Sequence, residues 1–227
     1  MNFVNPTFSI IGVIAILSVL GFAYTNLPIQ LTPIKEECGT EHTTNTTILV
    51  VGDSICTGKL KAIPFFSLAV YQLNPFWDFC EETNATVLTE CHEGMGMKYF
   101  DANMDEYLDE HEPDVLVLQS YWNDVLGSGD FCVFNTVEPI THTEYKQHLA
   151  SIADKADARG VSLVLVFGYL GDGGGYAGYI REFAVENGIA FIDLRDIKPS
   201  DGLVLDGVHP NQAGQDAIRR RLLEALK

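Results

Sequence analysis

The chain has 227 residues, of which 47% are apolar, enough for one packed domain with further segments attached. It carries 31 acidic against 14 basic side chains, a formal charge of −17. That balance argues against nucleic acid or an anionic bilayer as an electrostatic partner and favours neutral or cationic substrates.

From the N-terminus, Phe8 to Tyr24 is an uncharged run of mostly Ile, Val, Leu, Phe and Ala, just long enough to span a bilayer. Residues 1–24 therefore read as a membrane anchor or a signal peptide. The basic start of a secretory signal is missing, which favours the anchor, whereas Gly21 and Ala23 offer a small-x-small cleavage site. Either way the rest of the chain is expected outside the cytoplasm. Residues 25–46, with Pro28, Pro33 and clustered threonines, read as a linker, and the folded domain is expected over 47–227. Asn45-Thr46-Thr47 and Asn84-Ala85-Thr86 match the glycosylation sequon. Cys38, Cys56, Cys80, Cys91 and Cys132 show no paired metal spacing; in an exported chain they allow two disulfides and one free thiol, with the pairing open.

Within the domain, short apolar runs alternate with longer helical patterns. Strands are expected at 47–51, 86–90, 114–119, 161–167 and 189–193, and helices near 59–73, 97–111, 143–158, 176–187 and 210–226. This alternation predicts an α/β fold with a five-stranded parallel sheet covered on both faces. The first strand stops abruptly at Gly52, followed by Asp53 and Ser54. A serine in the loop at the carboxyl end of a parallel strand stands where open α/β sheets bind their ligands. The plainer alternative is that Asp53 and Ser54 cap a following helix. The glycine-rich run at 171–175 follows the fourth strand and reads as a mobile loop or a substrate lid.

Three more chemistry-bearing loops follow in order. Cys91-His92-Glu93-Gly94-Met95-Gly96 comes after the second strand, and its glycines can bring a backbone N–H close to a substrate. Ser120-Tyr121-Trp122-Asn123-Asp124 follows the third strand and sets an amide beside an aromatic pair. Asp206-Gly207-Val208-His209-Pro210 precedes the last helix, a spacing that lets the carboxylate reach the imidazole and fix its tautomer. A phosphate-binding loop is excluded at Gly52–Leu60, since five residues instead of four precede Gly58-Lys59 and Leu60 stands where a magnesium-binding hydroxyl belongs. His92, His111, His142 and His148 are scattered and read as surface or loop residues, not as a metal site.

Gly52-Asp53-Ser54, a glycine after strand two, Asn123-Asp124 after strand three, and Asp206-Gly207-Val208-His209-Pro210 occur in the order of the SGNH (GDSL-like) hydrolase family, which residues 47–227 resemble. The resemblance implies a flavodoxin-like three-layer α/β/α fold and hydrolysis of esters or thioesters with neither metal nor cofactor. It implies Ser54 as nucleophile, His209 as base and Asp206 as its orienter. The oxyanion hole would comprise the Ser54 N–H, a glycine N–H and the Asn123 side chain. Gly94 and Gly96 both suit the glycine position, and Gly96 is preferred as the last glycine before the helix. The family's third block carries a glycine two positions before the asparagine, where this chain has Tyr121. The expected activity is a serine esterase on O-acylated saccharides or short-chain acyl esters. An O-acyltransferase on the same site and an inactive binding domain are the alternatives. The expected partners are the ester substrate and, through residues 8–24, a membrane. Oligomeric state is left open.

Overall fold

A computed structural model describes residues 46–56, 59–63, 68–71, 85–119, 123–124, 140–169, 171, 173–197 and 209–226. The N-terminal apolar segment, Cys38, Cys80, Cys132, Tyr121, Trp122, Asp206, Asn45 and Asn84 lie outside these residues, as do all of residues 25–45. No helix among the described residues is long and apolar enough to cross a membrane.

Five strands form the central sheet: β1 (Thr47–Gly52), β4 (Thr86–Cys91), β5 (Val115–Gln119), β6 (Ser162–Phe167) and β7 (Ala190–Asp193). They lie in the order β4-β1-β5-β6-β7, and every neighbouring pair is parallel. Their near-continuous apolar runs, such as TILVVG and VLVLQ, follow from burial on both faces. Counting only these strands, the order is 2-1-3-4-5, the flavodoxin-like arrangement that reverses direction beside the first strand.

Alternate residues of the strands face two separate cores. Leu49, Val51, Leu116, Leu118, Leu165 and Phe167 pack beneath three helices, α1 (Met97–His111), α2 (His142–Asp157) and α3 (Tyr176–Asn187). Each helix supplies a stripe at helical spacing, for example Phe100, Met104, Tyr107 and Leu108 of α1. Ile48, Val50, Val117, Val164, Val166 and Ile192 face the other side, where α4 (Gln212–Leu226) brings Ile218, Leu222 and Leu223. The result is the expected three-layer α/β/α architecture.

One expectation fails. The helix expected near 59–73 is replaced, among its described residues, by strands: Lys59–Ile63 (β2) and Leu68–Tyr71 (β3) pair antiparallel. Pro64 interrupts the run and cannot continue a helix, and the halves on either side are too short for one. Asp53 and Ser54 therefore do not cap a helix there. The glycine run is also more structured than a loop: Gly173–Gly175 form a 3₁₀ turn leading straight into α3. Gly174 and Gly175 take φ of 65° and 99°, left-handed values that a residue with a Cβ rarely adopts.

Candidate active site

The loops after β1, β4 and β5 and the approach to α4 gather at the carboxyl edge of the sheet, where the strand order reverses. β1 delivers Asp53 and Ser54 immediately past Gly52. Gly52 is required by space, because a Cβ there would lie 2.8 Å from Cys56 Cβ and from the backbone and side-chain oxygens of Gln119. Ser54 and His209 are 155 residues apart in sequence, and Ser54 Oγ stands 2.9 Å from His209 Nε2. With the ring proton on Nδ1, the serine hydroxyl donates to Nε2.

His209 is held by the start of α4. Asn211 caps that helix, its Oδ1 accepting from Gly214 N–H at 3.0 Å. One turn on, the buried Gln215 donates through Nε2 to Ile55 O at 3.3 Å, tying the histidine-bearing helix to the serine-bearing turn. Nothing in its sequence setting marks Gln215; its partner lies 160 residues away.

Beneath the serine lies a buried polar layer. Asp53 is 1% exposed, and its Oδ1 accepts from Ile55 N–H at 3.0 Å and from Gln119 Nε2 at 3.2 Å. Burial pushes its carboxyl above the ordinary range, and the hydrogen bonds from Ile55 and Gln119 and the nearby His209 oppose that rise. Asn123 donates through Nδ2 to Met95 O at 2.9 Å, while Asp53 Oδ2 stands 3.4 Å from the same nitrogen. Asp124, 1% exposed, receives the Met97 N–H on both carboxylate oxygens, each at 3.0 Å. Burial, reinforced by the charge of Asp53, raises Asp124 to about 7.

In the loop between β4 and α1, Gly94 has φ of 73° and Gly96 is the extended N-cap of α1. His92 N–H donates to Gly52 O at 2.8 Å, which fixes this loop against the end of β1. A disulfide between Cys56 and Cys91 joins the turn after β1 to the last residue of β4 covalently, with the Cα atoms 5.6 Å apart. Sequence allowed this pairing without selecting it. Of the scattered histidines, His111 has a side chain only 6% exposed, with Nε2 2.9 Å from Glu90 Oε1. His92 Nε2 lies 3.2 Å from Glu90 Oε2. Both are partners of a buried carboxylate; His92 does lie on a loop, as expected, whereas His111 belongs to α1 with its side chain buried and is not a surface or loop group.

Ser54, His209, both candidate glycines and Asn123, which is helical, thus lie at one edge of the sheet, and Asp206 lies outside the described residues. No family profile matches the sequence, and no curated protein matches it. Solved structures do. A GDSL-like lipase from Bacteroides thetaiotaomicron aligns at a TM-score of 0.62 with 19% identity, over 80% of this chain and 87% of its own. An acetylxylan esterase from Geobacillus stearothermophilus aligns at 0.65 with 16% identity, over 82% of this chain and 96% of its own. At such identities the likeness speaks for the fold alone: the described residues from 46 onward share the α/β/α fold of these GDSL-like lipase and acetylxylan esterase structures.

Proposed function

We propose that this chain is a serine ester hydrolase acting on O-acylated saccharides or other short-chain acyl esters. The observation that carries the reading is the 2.9 Å approach of Ser54 Oγ to His209 Nε2 at the edge where the strand order reverses. A serine hydroxyl is a weak nucleophile at neutral pH, so His209 takes its proton as Oγ attacks the acyl carbon. The tetrahedral intermediate collapses, and His209 returns the proton to the leaving alcohol. Water, deprotonated by the same ring, then hydrolyses the acyl-enzyme. Asp206 is assigned to hold the His209 Nδ1–H, an assignment resting on the Asp-x-x-His spacing.

The intermediate's oxyanion is assigned to the Ser54 N–H, a glycine N–H and Asn123. One N–H of Asn123 is engaged by Met95 O, while Asp53 at 3.4 Å is too distant for a firm bond, so the other N–H is the one assigned to the oxyanion. Every described peptide is trans, so the Met95 carbonyl and the Gly96 N–H point in opposite directions. With Met95 O turned to Asn123, the Gly96 N–H is turned from it, which supports Gly94 over Gly96 as the second donor. The similarity to an acetylxylan esterase supports an acylated saccharide as substrate, and the −17 charge is compatible with a neutral one.

The Cys56–Cys91 disulfide supports an oxidising compartment, consistent with export of the domain behind the apolar segment at 8–24. Protease added to intact cells should digest the domain; a soluble, uncleaved cytoplasmic chain would overturn this location.

The function is tested by incubating the wild type and Ser54→Ala with p-nitrophenyl acetate, an acetylated xylo-oligosaccharide and a fluorophosphonate probe. Turnover and labelling in the wild type, both lost in a folded Ser54→Ala, are expected. An inert, unlabelled wild type, or labelling that persists in Ser54→Ala, would overturn the reading.

A further inference from the structure

Helix α1 begins without a cap of its own. Its N-cap is Gly96, which has no side chain to offer, and its first turn contains no acidic residue. The missing acceptor comes from a different loop: both Asp124 oxygens stand 3.0 Å from Met97 N, across 27 residues of sequence. Placing a carboxylate there also complements the positive end of the helix dipole. The neighbouring Asn123 grips the preceding peptide through Met95 O at 2.9 Å. Residues 95–97 and 123–124 are therefore interlocked by hydrogen bonds from two adjacent side chains.

Gly96 fits this interlock for a reason of space. Its φ of −118° and ψ of −175° suit any residue, but a Cβ would lie 2.5 Å from Asp124 Oδ1. The close approach of the two loops and the glycine belong together. Asp124 itself is 1% exposed and has no cationic partner among the described residues; Asp53 and Tyr176 are the titratable groups that face it.

We propose that Asp124 is a positioning residue for the reaction, the buried anchor that sets the loop after β4 at the distance from Asn123 at which both can donate to one oxyanion. It touches neither substrate nor Ser54; it acts through Met97 and the loop that ends there. This rests on the esterase reading of the same site. An oxyanion hole depends on donors already in place when charge develops, and a misplacement of about 1 Å costs about 10²-fold in rate. The ground-state ester makes little use of those donors, so the effect belongs in kcat and not in KM.

The experiment compares Asp124→Ala, Asp124→Asn and Gly96→Ala, with kcat and KM on p-nitrophenyl acetate normalised to folded protein by circular dichroism and melting temperature. Asp124→Ala should lower kcat by about 10²-fold with KM within about twofold. Asp124→Asn, whose Oδ1 can still accept the Met97 N–H, should recover most of that loss. Gly96→Ala keeps the carboxylate but pushes it aside, and should reproduce the kcat loss. A folded Asp124→Ala with normal kcat overturns the proposal. If that variant does not fold, normal kcat in Gly96→Ala overturns it instead. Failure of the esterase reading is separately visible, as an inert and unlabelled wild type.

Discussion

The loop cluster at the carboxyl edge of the sheet and the outer face formed by α1 and α2 both collect carboxylates, and they treat them in opposite ways. At the sheet edge, Asp53 and Asp124 are buried and held by N–H groups from Ile55, Gln119 and Met97, and burial pushes both carboxyls upward. Between the helices, Asp101 receives Lys155 Nζ at 2.9 Å and His148 Nδ1 at 2.7 Å. Burial alone would raise Asp101, but the hydrogen bonds from His148 and Lys155 outweigh it and hold the carboxyl below its ordinary range. Asp105 and Asp109, 54% and 68% exposed, pair with Arg159 at 2.9 Å and 2.8 Å beside an open groove of about 580 Å³. Ion pairs in water contribute little, whereas a buried group that loses its only donor is costly. Each carboxylate at the sheet edge should therefore matter more than each carboxylate on the helical face.

The most severe break in this contrast lies at the base. His209→Ala removes the proton acceptor 2.9 Å from Ser54 Oγ and should cut turnover by about 10³-fold or more while the domain stays folded. Asp206→Asn should be severely impaired too, by favouring the wrong imidazole tautomer. Steady-state kinetics beside melting curves decide this, and near-normal turnover in His209→Ala would point to another base.

Next in size is the covalent link between the turn after β1 and the end of β4. The Cys56–Cys91 crosslink spans a sequence separation of 35, for which the chain-entropy argument gives roughly 4 kcal/mol of stabilisation. Cys56→Ser with Cys91→Ser should lower the denaturation midpoint accordingly. An unchanged midpoint, in the presence or absence of dithiothreitol, would show that the polar interlock suffices without the crosslink.

How far the sequence disclosed these features depends on how local their causes are. The parallel strands were legible because burial on both faces leaves an unbroken apolar run such as SLVLVF in β6. Ser54 and His209 were legible because each ends or begins an element with its own signature. Gln119, Gln215 and the capping role of Asp124 were not, since their partners lie 66, 160 and 27 residues away and only the fold joins them. The Cys56–Cys91 pairing was one of several that five cysteines allow. The strands within 59–73 were not legible because the apolar content of that stretch fits either period, and Pro64 is the one local residue that argues against a helix there.

The pH dependence of stability sharpens the comparison further. Asp124 titrates near 7 in the folded protein against 3.8 ordinarily, so folding takes up a proton between those values. Its contribution to stability is fully present below about pH 4 and is lost as pH rises through about 7. Asp53, also raised, acts in the same direction. Glu90 acts oppositely: burial raises it, but hydrogen bonds from His92 and His111 prevail and hold it low, so its contribution exists above its ordinary 4.5 and fades as pH falls below that. Tm should therefore decline from pH 5 to pH 8, and Asp124→Asn should flatten that decline. An equally steep decline in Asp124→Asn would assign it to other groups.

The smallest effects are expected on the helical face, where two cations can be compared side by side. Lys155 is 23% exposed and reaches Asp101, itself 15% exposed, through both the carboxylate at 2.9 Å and the backbone oxygen. Lys155→Met keeps the aliphatic stem but removes both bonds and the 3.4 Å contact to Asp105, leaving the Asp101 carboxylate to His148 and Ser151. That should cost about 1 kcal/mol, a shift in Tm of about 2–4 °C for a domain of this size. Arg159 is the exposed counterpart. Its contacts to Asp105, Asp109 and the Lys155 carbonyl hold mostly solvated groups in place, and water replaces them readily. Arg159→Gln should leave Tm unchanged within error at 150 mM salt, with any difference appearing only at low ionic strength, where screening is weak. Both variants should hydrolyse ester at the wild-type rate, since neither residue touches the loops around Ser54. A loss in Arg159→Gln as large as that in Lys155→Met, undiminished by salt, would mean that the outer carboxylates are held as firmly as those beneath the serine.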